Sequence, residues 1–306
     1  MNSDIVRNRQ ALLDAVRHEL EPTWTTLPDK PDESLERTVR ALWFAAAGIP
    51  RSIERCSTDD LPAIDAEGAE RLRGLARQRA AGVPIAHLTG RQSFCGLELL
   101  SGPQALIPRR ETELLAQTAI ARLRAILGRQ PNATAIDVCT GSGNVALAMA
   151  AADERVRAFG ADISPDAVSL AQQNALHLGL ADRASFHAGD LFAPLHGVVP
   201  DHGADLVTCN PPYITSAKVP MMPEETQRHE PRLAFDGGAF GLDIITRLLA
   251  DGPRVLRPGA PLCFEVGAAT GKFVADRVRR NPAFATVEGI TDAAGVVRVL
   301  VAVTRQ

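Results

Sequence analysis

The sequence lacks any apolar run long enough to cross a lipid bilayer, because no hydrophobic stretch approaches about 18 residues. Hydrophobic residues make up 45% of the chain and charged residues 23%, which is typical of a globular protein in water. The stretch MNSDIVRNRQALLDAVRHEL alternates charged and apolar residues and is typical of neither a signal peptide nor a transit sequence. We therefore expect a cytoplasmic protein with no membrane partner.

Cysteine is sparse, and the spacing of the five cysteines matches neither a metal-ligand pair nor a redox motif. They are Cys56, Cys95, Cys139, Cys209 and Cys263. Most have apolar neighbours, as in the stretch CFEVG, and this predicts small buried thiols. We therefore expect neither a disulfide framework nor a bound metal.

The chain also lacks a strong charge of either sign. Its 33 lysines and arginines face 36 aspartates and glutamates, which gives a formal net charge of −3 and a pI near 6.2. The basic residues are nearly all arginine and are scattered, whereas a protein that binds duplex DNA usually carries a basic patch that neutralises phosphates. The charge pattern therefore does not predict a direct nucleic acid partner.

The spacing of apolar residues predicts a small helical domain over residues 1–92. Two stretches with helical spacing, SLERTVRALWFAAAG and GAERLRGLARQRAAG, are separated by a polar connector marked by proline. Two short strand-like runs around SGPQ then predict a β-hairpin linker over residues 93–108. The helical domain either stabilises the rest of the protein as a cap or docks its substrate.

Residues 109–306 read as one domain in which strands and helices mostly alternate. A strong helix in RRETELLAQTAIARLRAIL precedes the strand-like runs TAIDVC, VRAFGADI, ASFHAGD, ADLVTCN and PLCFEVG, and two further strands follow near the end. This pattern predicts an α/β fold with a doubly wound, mostly parallel sheet. Ligands bind such sheets outside the carboxyl ends of the strands, which is where the stretches DVCTGSG and CNPPY lie.

The stretch DVCTGSGNVA joins a strand to a helix through a Gly-x-Gly-x-x-Ala pattern formed by Gly141, Gly143 and Ala146. The glycines let backbone amides approach a ligand at the positive end of the helix. Asp162 follows about 20 residues later, at the end of the next strand, where a carboxylate can bind ribose hydroxyls. Enzymes that bind NAD and enzymes that bind S-adenosylmethionine (SAM) both use this geometry.

Two further aspartates lie where the cofactor is expected. Asp137 is on the strand just before the glycine loop, and a carboxylate there suits the ammonium or sulfonium group of SAM but not a pyrophosphate. Asp190, in the stretch GDLF, ends the third strand. It either accepts a hydrogen bond from an adenine amino group or caps the following turn. Asp137 therefore favours SAM over NAD.

The stretch CNPPYIT follows another strand and contains the only tyrosine in the chain, Tyr213. Asn210 offers a side-chain carbonyl and Pro211 a backbone carbonyl, which together match the two donors of an –NH₂ group. Pro211 and Pro212 supply no competing N–H groups and stiffen the turn. Tyr213 supplies a flat face against which a planar amide or a base can stack.

This arrangement suits a planar nitrogen as the methyl acceptor. An amide nitrogen is a poor nucleophile because its lone pair is delocalised, and two acceptors on its hydrogens hold that lone pair toward a methyl group. Positioning of this kind lowers the barrier substantially, and fixed dipoles add to the effect. The sequence therefore predicts methylation of a planar nitrogen, with Asn210, Pro211 and Tyr213 as catalytic residues.

Taken in order, these motifs resemble the HemK/PrmC family of glutamine methyltransferases. The resemblance runs from about Val83 to the C-terminus and is carried by GVPIAHLTG, FCGLEL, LIPRRETE, DVCTGSG, NPPYI, HEPRLAFDGGAFGLDII and FEVG. NPPY alone is shared with DNA adenine methyltransferases, whereas the full ordered set is specific. The resemblance implies a Rossmann-like SAM-dependent methyltransferase that acts on the N(5) amide of the glutamine in the Gly-Gly-Gln motif of peptide chain release factors. A sister group acts on a ribosomal protein.

The resemblance also implies the residues of the site. It implies that SAM is bound by the glycine loop and by residues at the ends of neighbouring strands: Cys139, Thr140, Gly141, Ser142, Gly143, Asp162, Asp190, Leu191 and Asn210. It implies that the glutamine is bound by Asn210, Pro211, Pro212 and Tyr213. The N-terminal helical domain is expected to help dock the protein substrate.

The sequence departs from the family in three places. Val297 precedes Arg298 where an Asp or Asn is expected, Cys139 stands where many relatives have glycine, and residues before about 80 match only loosely. Neither substitution affects the expected SAM site or methyl transfer, but both leave room for a different acceptor. The alternatives are a small amide or guanidino compound, a ribosomal protein glutamine and a DNA adenine.

Two other classes of function fit the sequence less well. An NAD-dependent oxidoreductase would explain the glycine loop but would leave NPPY without a role. A non-catalytic interaction protein would not need the complete set of expected site residues.

Overall fold

The computed structural model describes residues 2–25, 30, 33–56 and 60–306, and the chain forms two compact units. The first, which we call the helical unit, comprises Met1–Pro103 together with Pro223–His229. The second, the sheet unit, comprises Gln104–Met222 and Glu230–Gln306. Within the described residues, no helix combines the length and the apolar character that a membrane span requires.

Polar N-cap residues define where several helices begin. In chain order the helices are α1 (Asn2–Leu20), α2 (Leu35–Ala46), α3 (Ala66–Ala80), α4 (Ile85–Thr89), α5 (Glu113–Leu127), α6 (Asn144–Ala152), α7 (Pro165–His177), α8 (Glu224–His229), α9 (Asp243–Val255) and α10 (Gly271–Arg279). Ser34, Asp65 and Ser164 accept hydrogen bonds from backbone N–H groups in the first turns of α2, α3 and α7. Pro165 occupies the first position of α7, where its missing N–H costs the helix no hydrogen bond.

The helical unit has its own apolar core. Leu42, Trp43 and Phe44 of α2 are almost fully buried, and Leu72 of α3 belongs to the same cluster. The indole N–H of Trp43 donates to the Pro62 carbonyl at 2.8 Å, which satisfies the one polar group of this side chain. The described residues of this region form helices α1–α4, and residues 57–59 of the predicted polar connector lie outside the described residues.

The hairpin turns earlier than the sequence suggested. Its strands are β1 (Arg91–Phe94) and β2 (Leu97–Leu100), and the turn is formed by Cys95 and Gly96 rather than by SGPQ. Both turn residues have a positive φ, 48° and 79°, as in the two-residue turns whose twist matches that of paired strands. The expected position was wrong because cysteine carries no turn signal, whereas SGPQ has the composition of a turn.

The hairpin is part of the helical unit rather than a separate linker over residues 93–108. The Glu98 carboxylate in β2 accepts the Ser52 backbone N–H at 3.1 Å and pairs with Arg55 at 2.9 Å. These contacts tie the hairpin to the connector between α2 and α3, which explains why it packs with the helices.

The sheet unit is built on seven strands. They are β3 (Ala133–Val138), β4 (Val156–Asp162), β5 (Ala184–Ala188), β6 (Leu206–Cys209), β7 (Pro261–Glu265), β8 (Phe284–Thr291) and β9 (Val297–Thr304), in the spatial order β5-β4-β3-β6-β7-β9-β8. Neighbours from β5 to β7 are parallel, whereas β9 runs antiparallel to β7 and β8 antiparallel to β9. Strands β6 and β7 are buried at every position, which agrees with their mostly apolar sequences. The predicted doubly wound α/β sheet is confirmed.

The strand order reverses beside β3, because β4 and β5 extend the sheet on one side of it and β6 on the other. Such a reversal opens a crevice at the carboxyl ends of the strands. Val138 of β3, Cys209 of β6 and Phe264 of β7 lie side by side in register. The residues that follow them in the chain therefore meet at one edge of the sheet.

Candidate active site

A cavity opens at this edge of the sheet unit, and every residue that lines it belongs to that unit. The predicted site residues in its lining are Asp137, Cys139, Thr140, Gly141, Ser142, Asp162, Asp190, Leu191, Asn210 and Pro212. Of the predicted residues, Gly143, Pro211 and Tyr213 stand outside the lining. The structure therefore brings most of the predicted residues of both motifs to one cavity.

The glycine loop, residues 139–143, has a backbone that few residue types adopt. The φ angle is positive at Cys139 (57°), Gly141 (54°) and Gly143 (80°), and Cys139 thus occupies a position whose conformation favours glycine. A Cβ at Gly143 would lie 2.9 Å from the Phe186 ring on β5. The loop can pack directly against β5 only because residue 143 has no side chain.

Asp162, at the end of β4, holds the glycine loop in place. Its Oδ2 accepts the Gly141 N–H at 2.9 Å, and its Oδ1 accepts the Ser164 N–H at 3.0 Å. Burial is the largest influence on the pKa of Asp162 and raises it, although the backbone donors act in the opposite direction. The carboxylate that was expected to bind ribose therefore also fixes the loop beside it.

Asp137 is a buried carboxyl on β3, only 2% exposed. Its Oδ2 accepts the hydroxyl of Thr140 at 2.6 Å, and its Oδ1 accepts the hydroxyl of Thr208 at 2.7 Å. Burial raises the pKa of Asp137 to about 6, because the hydroxyl groups stabilise the carboxylate less than water does. A cation beside Asp137 would favour the charged form, which agrees with the positive charge of SAM.

The residues around the glycine loop fit SAM. The hydroxyl oxygen of Ser142 is buried at the cavity and has no hydrogen-bond partner among the described residues. A Cβ added at Gly141 would meet nothing within 4 Å, so the backbone there is open to a ligand. An unsatisfied hydroxyl, an exposed glycine backbone and the buried carboxyl of Asp137 suit a cationic ligand that also carries polar groups.

The turn after β5 brings Asp190 and Leu191 to the cavity. Asp190 forms an ion pair with Arg247 of α9 at 2.5 Å, and about half of each side chain is exposed. Leu191 has a positive φ of 47° and is buried. The two residues predicted near the adenine therefore lie at the cavity, and α9 adds a charged partner that the sequence did not predict.

The turn after β6 carries the residues expected to hold the substrate nitrogen. The side-chain N–H of Asn210 donates to the hydroxyl of Thr112 at 3.2 Å. This bond fixes the orientation of the amide group, whose carbonyl oxygen Oδ1 is the acceptor for another group. Thr112 precedes α5 and is 2% exposed, so it is a rigid anchor for Asn210.

A glycine-rich loop packs against the backbone of this turn. A Cβ at Gly237 would overlap the Pro212 carbonyl oxygen, and a Cβ at Gly241 would overlap the Tyr213 carbonyl oxygen. The Gly237 N–H also donates to the Ile214 carbonyl at 2.7 Å. The stretch FDGGAFG therefore supports the NPPY turn, because only glycine permits such a close approach.

The Tyr213 hydroxyl lies in a cluster of charged groups. It donates to Oε1 of Glu265 at 2.9 Å and lies 3.4 Å from Oε1 of Glu111. Arg298 pairs with the other oxygen of Glu111 at 2.7 Å. Burial, followed by the charge of Glu265, raises the pKa of Tyr213 far above its usual value, so the phenol keeps its proton.

Several residues that surround Asn210 and Tyr213 belong to neither of the two predicted motifs. Thr112 and Glu111 lie in the turn just before α5 and Glu265 ends β7, and all three contact predicted residues. Glu265 is a charged residue at the end of a strand that is otherwise apolar, and that contrast is the signal that could have identified it. Cavity-lining residues outside both motifs include Gln104, Leu106, Arg109, Pro231, Leu233, Ile244 and Arg247.

Comparison with known proteins identifies close relatives. A family model described as a methyltransferase domain matches residues 129–278. The chain is 38% identical over 272 residues to the release factor glutamine methyltransferase of Moorella thermoacetica, which covers 89% of this chain and 92% of that protein. Proteins of the same name from Geobacter sulfurreducens and Rhodopirellula baltica are 35% and 32% identical. These matches cover 85% and 90% of this chain, and 86% and 93% of those proteins.

Solved structures share the fold at low sequence identity. The catalytic domain of hMettl16, in complex with the MAT2A 3′UTR hairpin 6, has a TM-score of 0.52 and 14% identity, covering 76% of this chain and 84% of that chain. A likeness at this identity concerns the fold alone. With the family model and the seven-stranded sheet, it confirms the predicted Rossmann-like methyltransferase fold.

Proposed function

Since the chain belongs to the release factor glutamine methyltransferase family, it is a SAM-dependent N-methyltransferase, and we propose that it methylates the glutamine of the Gly-Gly-Gln motif in a peptide chain release factor. The acceptor atom is the N(5) nitrogen of the glutamine side chain. The alignment with the Moorella protein covers 89% of this chain, so it includes most of the helical unit as well as the sheet unit.

The observation that carries this proposal is the fixed orientation of the Asn210 amide. The Asn210 amide donates an N–H to Thr112, and its oxygen is the group that acts as an acceptor at the cavity. The Pro211 carbonyl is the second acceptor, and no N–H group at Pro211 or Pro212 competes for either oxygen. Two acceptors match the two hydrogens of a primary amide, whereas a hydroxyl offers only one donor.

The chain accelerates the reaction by positioning the acceptor. Asn210 and Pro211 hold both hydrogens of the amide, and Tyr213 and Pro212 hold its plane. Bound SAM supplies an electrophilic methyl group on a sulfonium. No general base has to remove a proton beforehand, because the nitrogen becomes strongly acidic once it is methylated. Fixed acceptors and a fixed ring therefore account for catalysis by orientation and by preorganised dipoles.

The residues that would hold SAM surround the cavity or support it: Asp137, Cys139, Thr140, Gly141, Ser142, Gly143, Asp162, Asp190, Leu191 and Asn210. Asp137 supplies buried negative charge that suits a cation, and Asp162 supplies a carboxylate that suits ribose hydroxyls. Gly143 acts indirectly, since it lets the loop pack against β5.

The helical unit is the part of the chain that we propose docks the release factor. A Gly-Gly-Gln motif offers almost no side chains for recognition, so most of the binding free energy has to come from contacts elsewhere on the protein substrate. The helical unit has an apolar core of its own, which supports its role as a separate docking module.

Intact-mass analysis of a release factor incubated with the protein and SAM tests the proposal. We expect the mass to increase by one methyl group, located by fragmentation on the Gly-Gly-Gln peptide. Asn210→Ala removes an acceptor and is expected to lower the methylation rate by roughly 100-fold, as removal of a single preorganised group does in other enzymes. Asn132→Ala, an exposed asparagine before β3, is the matched control and is expected to keep the wild-type rate.

A wild-type protein that binds SAM in calorimetry but leaves the release factor unmodified would refute this acceptor and keep the methyltransferase. Free amides and guanidino amino acids would then be tested as acceptors. A wild-type rate in Asn210→Ala would refute the role of the Asn210 oxygen.

A further inference from the structure

A buried carboxyl behind the NPPY turn has no role in the chemistry described above. Glu265, at the end of β7, is 1% exposed and is not part of the cavity lining. Its Oε1 accepts the Tyr213 hydroxyl at 2.9 Å. Its Oε2 is buried without a hydrogen-bond partner of normal geometry among the described residues.

Glu265 also lies next to the anchor of Asn210. The hydroxyl of Thr112 is close enough to Glu265 to lower the pKa of its carboxyl, and the same hydroxyl oxygen accepts the Asn210 N–H. Glu265 therefore contacts Tyr213 directly and lies beside Thr112, which accepts the Asn210 N–H.

The charges around Glu265 do not balance. Glu111 and Arg298 form an ion pair at 2.7 Å, so Glu265 has no cation of its own in this cluster. Burial is the largest influence on Glu265 and raises its pKa to about 7, with Glu111 acting in the same direction and Arg298 in the opposite one. An apolar side chain in this place would avoid the cost of burying a carboxyl, so stability does not explain a glutamate here.

We propose that Glu265 is a positioning residue for methyl transfer, which fixes the Tyr213 ring through its hydroxyl. The proposal rests on the function proposed above for Asn210 and Tyr213. Glu265 does not touch the substrate. It removes the rotational freedom of Tyr213, so that the ring is already in place when the amide enters the site.

The first test does not require turnover. Tyr213 is the only tyrosine in the chain, so tyrosine labelled with ¹³C at the ring ζ carbon gives a single resonance in NMR spectra. In the wild type this resonance is expected to shift with a midpoint near pH 7, as the Glu265 carboxyl that accepts the hydroxyl ionises. Glu265→Gln keeps an acceptor oxygen but cannot ionise, so the titration is expected to disappear.

The second test measures methyl transfer to a release factor. Glu265→Gln and Glu265→Leu are expected to lower kcat/KM by about tenfold or more, while the Kd for SAM from calorimetry changes by less than about twofold. Tyr213→Phe is expected to give a similar loss. The double variant Tyr213→Phe/Glu265→Gln is expected to be little worse than either single variant, because both changes break the same contact.

Glu288→Gln is the matched control, since Glu288 lies on β8 of the same sheet and its side chain is half exposed in an ion pair with Arg122. It is expected to keep both the titration and the rate. A Tyr213 resonance that does not respond to Glu265→Gln overturns the proposal, and so does a kcat/KM within about twofold of wild type in both Glu265 variants. If the wild type methylates no release factor, the proposed function fails and the NMR titration alone decides the role of Glu265.

Discussion

Burial decides the charge of two carboxyl groups in the sheet unit. Water is excluded from Asp137 and Glu265, and their pKa values rise to about 6 and about 7. In each case the folded-state pKa lies above the unfolded value, so the folded protein holds the proton more tightly. The stability gained in this way is fully present below the unfolded pKa, near pH 4, and is lost as the pH rises through the folded pKa.

Glu265→Gln is therefore expected to change how stability depends on pH. At pH 5 the free energy of unfolding of the variant should be close to that of wild type, and at pH 8 it should exceed wild type by about 2 kcal/mol, because the cost of a buried charge is gone. Urea unfolding at both pH values measures the difference. Glu288→Gln, an exposed change on β8, should follow the wild-type curve, and a Glu265→Gln curve parallel to wild type would contradict the argument.

Glycine is required at position 143 both for its positive φ and for the close contact with Phe186, and the energetic costs of the two can be measured separately. Gly143→Ala should destabilise the protein by about 3 kcal/mol, because the methyl group meets Phe186 in addition to the strain of a positive φ. Gly179→Ala, with φ of +67° and nothing within 4 Å of the new Cβ, should cost only about 1 kcal/mol for the strain. Denaturant unfolding compares the two. Equal losses would show that the Phe186 contact relaxes freely.

At the scale of single elements, the cofactor site depends on how loops join strands to helices. The loop after β4 illustrates this, because Asp162 ends the strand, binds the glycine loop and is followed by Ser164, which caps α7. Asp162 and Ser164 thus connect the end of β4 with both the glycine loop and the start of α7. A change in the cap therefore reaches the cavity through a segment only a few residues long.

Ser164→Ala is expected to lower the free energy of unfolding by about 1 kcal/mol, because it removes the acceptor for the Ala167 N–H at the start of α7. Ser169→Ala changes an exposed serine within the same helix and should be neutral or slightly stabilising, since alanine is the better helix former. Thermal unfolding at equal protein concentration distinguishes them. A loss of the same size in both variants would argue against capping as the cause.

At the scale of the whole molecule, the helical unit is completed by a segment from far along the chain. Residues 223–229 belong to it, and Glu225 of α8 forms buried ion pairs with Lys30 and Arg79. Burial would raise the pKa of Glu225, but these two cations outweigh it and the pKa is lowered. The stability from these pairs is therefore present above the unfolded pKa, near 4.5, and is lost as the pH falls through the folded value.

Glu225→Gln should selectively loosen the helical unit. Loss of one partner leaves buried cations short of counter-charge, which is expected to cost about 2 kcal/mol at pH 7 and to raise amide exchange in α1 and α3 by roughly 30-fold. Exchange in the strands of the sheet unit should not change. Hydrogen exchange followed by mass spectrometry resolves the two units. Glu224→Gln, an exposed neighbour paired with Arg228, is the control, and uniform loosening of both units would contradict the prediction.

Local signals were sufficient where a feature depends on neighbours in sequence. The cap at Ser164 and the helix start at Pro165 can be read from the sequence, because a serine followed by a proline is a local signal and capping involves only the first turn of a helix. The hairpin turn at Cys95 was missed because its positive φ is imposed by strand pairing and contacts such as that of Glu98 with Ser52, which lie elsewhere in the chain. The roles predicted for the site residues stay predictions until the variants described above are measured.

The sequence by itself determined the alternation of strands and helices, the glycine loop and the NPPY turn, because each depends on residue type and on short spacing. Only the tertiary structure decided what surrounds them. Thr112 against Asn210, Glu265 against Tyr213 and Arg247 against Asp190 are contacts between residues far apart in the chain. No local pattern encodes such contacts, since the strand order and the burial of each group are set by packing of the whole sheet, and that packing also raises the pKa of Glu265.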